Sequence, residues 1–274
     1  MKSWKKYLAL TFSALLIAGA LAGCGSSTPS SSQDTKQPLR VATNATYVPF
    51  EFKNDSNSDY QGFEIDMIKA AAKHIGRDIE FRNIQFSGLI PALMSGDVDV
   101  AASGMTIKAE RMEKVLFSSP YYESQLVIIT RKDNATINSS DDLTGRQVAV
   151  QAATIAAEYA EKYGAVLKQF DTNTDALMEL KAGGSEAVVT DKPVAEYFAA
   201  KLANEDMKII PAANVHKAYY AFSTKKENQK LMDQLNKALD EMRKNGEYAE
   251  IYKKWFGSEP TDMPKTPEEA IKNM

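Results

Sequence analysis

Short strand patterns alternating with helical ones from Leu39 onward predict an α/β chain with mostly parallel sheets, folded as two similar lobes. The 274 residues, 44% of them apolar, suffice for two domains of ordinary size. An internal echo supports the pair. Leu93-Met94-Ser95-Gly96-Asp97-Val98-Asp99-Val100-Ala101-Ala102-Ser103 and Leu180-Lys181-Ala182-Gly183-Gly184-Ser185-Glu186-Ala187-Val188-Val189-Thr190 share one order: helix, glycine turn, buried strand.

The first lobe opens with a strand over 39–43, followed by a helical stripe of Phe63, Ile65, Met67, Ile68, Ala71, Ala72 and Ile75. Further strands are expected over 79–81, 98–102 and 126–130, with a helix over 88–94 that Ser87 would cap. After Gly145 the grammar repeats: strand 147–151, helix 155–162, strand 166–170, helix 175–181 and strand 187–190. A strand over 219–224 precedes an amphipathic helix marked by Leu231, Leu235, Leu239 and Met242, then a shorter one holding Tyr248, Ile251, Tyr252 and Trp255. Pro260, Pro264 and Pro267 predict that the tail from Ser258 is extended or loosely held.

Lys2, Lys5 and Lys6 precede an apolar run from Tyr7 to Leu21, the pattern of a secretory signal. That run is shorter than the roughly 20 residues a membrane-spanning helix needs, so no permanent transmembrane helix is expected. It ends in Leu21-Ala22-Gly23-Cys24, which resembles the lipobox of bacterial lipoproteins. A lone cysteine is ordinarily a small buried hydrophobe. Here a Ser/Gly tether, 24–37, follows it, and the expectation is a lipidated Cys24 at the mature N-terminus. With one cysteine no internal disulfide can form. Removing 1–23 removes three lysines and takes the formal charge from −3 to −6, which argues against nucleic acid as a partner.

In open α/β sheets ligands sit beyond the carboxyl ends of the strands. Beyond the strand over 98–102 come Ser103, Gly104, Thr106 and Arg111, which combine close backbone approach, hydroxyl donors and a guanidinium fork matched to a carboxylate. From spacing alone Arg111 is more often a solvated residue on a short helix over 108–114. Asp191 stands at the equivalent strand end of the second lobe, where it reads equally as a helix cap or as a partner for an ammonium group. Aromatic residues beyond two other strand ends, in 42–52 and at Phe86, can sandwich an aliphatic chain, although Phe50 and Phe52 are assigned to the core.

Six ordered segments resemble the solute-binding proteins of ABC importers, in the polar-amino-acid group (family 3) typified by the glutamine-binding protein. They are Ala42-Thr43-Asn44-Ala45-Thr46-Tyr47-Val48-Pro49-Phe50-Glu51-Phe52, Gly62-Phe63-Glu64-Ile65-Asp66, Phe86-Ser87-Gly88-Leu89-Ile90-Pro91-Ala92-Leu93, Gly104-Met105-Thr106 with Glu110-Arg111, Phe117-Ser118-Ser119-Pro120-Tyr121-Tyr122, and Tyr252-Lys253-Lys254-Trp255-Phe256-Gly257. The resemblance implies a two-lobed type II periplasmic-binding-protein fold, its βα lobes joined by a two-strand hinge near 121–125 and 217–221. Lobe 1 would comprise 38–122 with 220–257, lobe 2 would comprise 123–219, and 258–274 would be an extension. It further implies that Arg111 and Thr106, with backbone amides near Thr154 and Ile155, hold an α-carboxylate, and that Asp191 and the Gly104 carbonyl hold an α-ammonium. Tyr47 and Phe86 would form the aromatic sandwich, and Asn44 and Gln151 would read the ligand side chain.

Relatives that bind glutamine or cationic amino acids often carry Asp at the Asn44 position, and the glutamine receptor carries lysine at that of Gln151. A buried cationic ligand would lack a counter-ion here, at a cost of several kcal/mol unless another acid supplies it. A neutral polar L-amino acid, glutamine first, is therefore favoured, with arginine, lysine or histidine as the alternative. The segment Gln151-Ala152-Ala153-Thr154-Ile155 also lacks the glycines usual in this anion-binding loop. The implied partners are the permease and ATPase subunits of an importer, with the chain itself a membrane-anchored monomer. Neither His74 nor His216 lies at a strand end, and no metal cluster or activated nucleophile is visible, which disfavours a dehydratase-like enzyme; no cofactor and no catalytic residue is expected.

Overall fold

The computed structural model describes residues 37–54, 56, 58–201, 206–214 and 217–273; the leader, Cys24 and His216 lie outside them. The first five-stranded sheet has the order Ile79–Asn83, Leu39–Thr43, Val100–Ala101, Ser223–Lys225, Val115–Phe117. Its first three strands are parallel, and Ser223–Lys225 runs antiparallel to both neighbours. The second has the order Val166–Phe170, Gln147–Gln151, Ala187–Asp191, Leu126–Arg131, Met207–Pro211, again with three parallel strands and antiparallel additions. Between the sheets, Tyr122–Ser124 pairs antiparallel with Ala218–Tyr220.

Alternation along each strand sends successive side chains to opposite faces, and helices cover both. In Leu39–Thr43, Leu39 and Val41 meet Phe63, Met67 and Ile68 of helix Phe63–His74 and Leu235 and Leu239 of helix Gln229–Asn245; Ala42 faces Leu89 and Leu93 of helix Leu89–Ser95. In the second sheet Ala149 and Val188 pack on Leu177, Leu180 and Phe198, whereas Val148, Val150 and Val189 pack on Ala156, Tyr159 and Ala160. Each fully buried Leu, Ile, Val or Phe contributes about 1.5–3 kcal/mol, so these faces hold the strand ends in place.

Several expectations are corrected. The region 219–224 is two strands, Ala218–Tyr220 and Ser223–Lys225, because the fully buried Ala221 and Phe222 leave one ladder and enter another. Ser87 does not cap the helix after it; it lies inside a 3-10 turn, Phe86–Gly88, and the helix Leu89–Ser95 has no side-chain cap. The tail carries a docked helix and is not merely extended or loosely held. Thr266 accepts from the Glu269 amide, Glu269 Oε2 accepts from the Lys265 amide at 2.8 Å, and Pro267 opens helix Pro267–Lys272. Ala270 of that helix is fully buried beside Tyr219 and Phe117.

Candidate functional site

All eleven candidate ligand residues line one cavity with about 430 Å³ of empty space: Asn44, Tyr47, Phe86, Ser103, Gly104, Thr106, Arg111, Gln151, Thr154, Ile155 and Asp191. Glu51, Ala156, Asn173 and Thr190 line it as well. The lobes touch around it, through Thr174 Oγ1 to the Thr46 carbonyl at 2.8 Å, Gln85 Nε2 to Asp171 at 2.8 Å and Lys108 Nζ to Glu158 at 2.5 Å.

Among the described residues Arg111 is held by backbone carbonyls and not by an acid: NH1 donates to Thr106 at 2.9 Å and NH2 to Ala153 at 3.1 Å. Its guanidinium lies 5.4 Å from the centre of the Phe86 ring. Burial pulls the guanidinium below its ordinary value, partly offset by Glu158 and Glu110. A half-buried cation whose hydrogen bonds run only to carbonyls attracts an anion.

Opposite it, helix Ile155–Lys162 begins at the cavity wall, with Thr154 as cap accepting from the Ala157 amide at 3.3 Å. Its first free amides carry the partial positive charge of a helix N-terminus, a second feature suited to a carboxylate. The loop before it turns without glycine because Ala153 takes φ 61°, a left-handed conformation costing an L-residue roughly 1–2 kcal/mol. At Gly104, φ is 56°, a conformation that favours glycine, and a Cβ would crowd the Tyr47 ring at 3.1 Å.

Asp191 ends its strand and is only 7% exposed. Ser124 and Tyr47 donate their hydroxyls to its two oxygens, and the Tyr47 hydroxyl lies 3.2 Å from that of Tyr220. Burial pushes its carboxyl up, and the hydroxyl donors hold it partly down. Gln151 Nε2 donates to Asn44 Oδ1 at 2.9 Å and to the Asp171 carbonyl at 3.0 Å, which makes a neutral polar pair across the cleft.

Glu51 is a site residue that the sequence reading misses. It sits on strand Glu51–Lys53 directly opposite Tyr47, 1% exposed, with Ser103 donating to Oε1 at 3.1 Å and, among the described residues, no hydrogen-bond donor at Oε2. The signal that could have found it is the alternation Phe50-Glu51-Phe52: if Phe50 faces one side, its neighbour faces the other.

The sequence pattern of the bacterial extracellular solute-binding proteins, family 3, matches residues 39–258. The arginine-binding extracellular protein ArtP of Bacillus subtilis (strain 168) is 38% identical over 262 residues, 93% of this chain and 99% of its own. An ancestral arginine-binding protein solved with glutamine is 42% identical with a TM-score of 0.77, covering 81% of this chain and 99% of its own. The form solved with arginine is 41% identical with a TM-score of 0.77, covering 81% and 100%. This chain therefore belongs to the bacterial extracellular solute-binding proteins, family 3, and has the two-lobed type II periplasmic-binding-protein fold.

Proposed function

We propose that the cavity captures a free L-amino acid with a cationic side chain, arginine first, and that the closed lobes present it to the permease and ATPase subunits of an ABC importer. Arg111, Thr106 and the amides at Thr154 and Ile155 take the α-carboxylate; Asp191 and the Gly104 carbonyl take the α-ammonium. Tyr47 and Phe86 flank the aliphatic stem, and Asn44 and Gln151 supply neutral hydrogen bonds farther along. The observation that carries the choice of side chain is Glu51, a buried acid in the cavity wall with one oxygen lacking a donor. It is the counter-ion that Asn44 and Gln151 cannot provide, and without it a neutral ligand such as glutamine would be preferred. ArtP is named for arginine, and the ancestral relative was solved with both arginine and glutamine, which agrees with a site near the boundary between the two.

Glu51→Gln tests the reading. Calorimetry is expected to show arginine binding weakened roughly 10- to 30-fold, the worth of about 1.5–2 kcal/mol for a charge-assisted hydrogen bond, with glutamine binding little changed. Equal losses for both ligands would sink the assignment.

We also propose a lipid anchor at Cys24, supported by the cleavage pattern before it and the tether after it. Cys24→Ser is expected to move the protein from the membrane fraction to the soluble one on cell fractionation. An unchanged distribution would rule the anchor out.

A further inference from the structure

Behind Glu51 lies a second buried acid that does not line the cavity. Glu64, fully buried, stands in the first turn of helix Phe63–His74 and accepts from the Gly104 amide at 2.5 Å and from the Tyr121 hydroxyl. The two acids accept from adjacent residues, Glu51 from the Ser103 hydroxyl and Glu64 from the Gly104 amide, and among the described residues neither is paired with a cation. Two neighbouring buried carboxyl groups without a cation cannot both ionise cheaply, so one of them holds a proton. Its place is decided by the surroundings. Glu64 has an amide, a phenol and a helix N-terminus favouring its anion, whereas Glu51 has one serine hydroxyl. The proton therefore resides on Glu51, whose Oε2 has no hydrogen-bond partner among the described residues. The titratable groups facing Glu51 are Glu64 from the helix, Asp191 from the second lobe, and the phenols of Tyr47 and Tyr121.

We propose that Glu64 determines charge selectivity through Glu51: the pair shares one proton in the empty site, and capture of a cationic side chain expels it to solvent. The charges balance. The singly protonated pair carries −1; with the proton gone and a guanidinium or ammonium in place, pair plus ligand again carry −1. No net charge is added to a buried region on binding, which avoids the desolvation cost that an isolated cation would incur. A neutral ligand leaves the proton where it is. Burial and the like charge of Glu64 push the Glu51 carboxyl well above the ordinary carboxylate range. Because binding releases a proton from this raised acid, arginine affinity rises with pH until the raised value is passed, by up to about tenfold per pH unit, and glutamine affinity does not follow it.

This inference rests on the cationic reading above, and the experiment separates the two. The full chain is titrated with arginine and with glutamine by calorimetry at pH 7, in phosphate and in Tris, whose different ionisation heats report protons released. The expected result is about one proton per arginine and none per glutamine. Glu51→Gln should abolish the release. Glu64→Gln removes the like charge that favours the proton on Glu51, lowers the Glu51 carboxyl although burial still raises it, and should cut the count below that of the parent protein while flattening the pH profile. A role for Glu64 in folding alone would leave the count per bound ligand unchanged, and that outcome overturns the proposal. Arginine binding without proton release in the parent protein overturns it too, leaving the cationic reading intact. No arginine binding with glutamine bound normally overturns both.

Discussion

Arg111→Ala should weaken amino-acid binding by roughly two to three orders of magnitude, the largest loss expected from any single side chain in the cavity. The reason lies in what the guanidinium lacks. Its hydrogen bonds run to the Thr106 and Ala153 carbonyls, and burial has already depressed its ordinary value. Half-buried and hydrogen-bonded only to carbonyls, it gains more from a carboxylate than a fully exposed arginine would. Truncation removes the bidentate donor and leaves the ligand carboxylate to Thr106 and the amides at Thr154 and Ile155, a loss of about 2–5 kcal/mol for one partner of a buried charged pair. Because the α-carboxylate is common to every amino acid, arginine and glutamine should suffer alike in calorimetry. A variant with near-native affinity for both would remove Arg111 from the site.

Much of this site is legible in the sequence because strand ends concentrate function and apolar alternation marks strands well. The expected bounds 147–151, 155–162 and 166–170 coincide with Gln147–Gln151, Ile155–Lys162 and Val166–Phe170. Each is an alternating or amphipathic run closed by a turn, so local pattern and tertiary burial agree. What fails to show has no local pattern. Ala221 and Phe222 are buried like a strand interior, yet there the chain passes from one ladder to another, an event set by lobe geometry. The helix at the tail is hidden by its prolines, although Thr266 and Glu269 already spell a capping box. Glu51 is hidden by its neighbours: between two phenylalanines assigned to the core, an acid draws no notice until its strand is paired opposite Tyr47. The antiparallel strands Ser223–Lys225 and Leu126–Arg131 make the sheets mixed, because pairing direction leaves no mark on side-chain periodicity.

Asp191→Asn carries the second large effect, and it differs instructively from the loss at Glu51. Asparagine has nearly the same shape, its oxygen keeps one of the two hydroxyl donors, and its NH2 can donate to the other hydroxyl once that rotates, so the fold and the strand end should survive. What disappears is the charge proposed to answer the α-ammonium. Binding of arginine and glutamine alike should fall by about 2–3 kcal/mol, roughly 30- to 150-fold. The empty protein should respond in the opposite sense. Burial has raised the Asp191 carboxyl, so the folded state binds its proton more tightly than the unfolded chain does. Its ionisation therefore opposes folding, and stability is lost as pH rises from the ordinary carboxylate range through the raised value. Removing that acid should make the unliganded protein at neutral pH somewhat harder to unfold while making it a worse receptor, a trade typical of groups placed for binding. Thermal melts with and without ligand would read both signs at once. Should the substitution destabilise the empty protein and spare binding, Asp191 would be a structural strand-end residue and the ammonium would have to be held elsewhere.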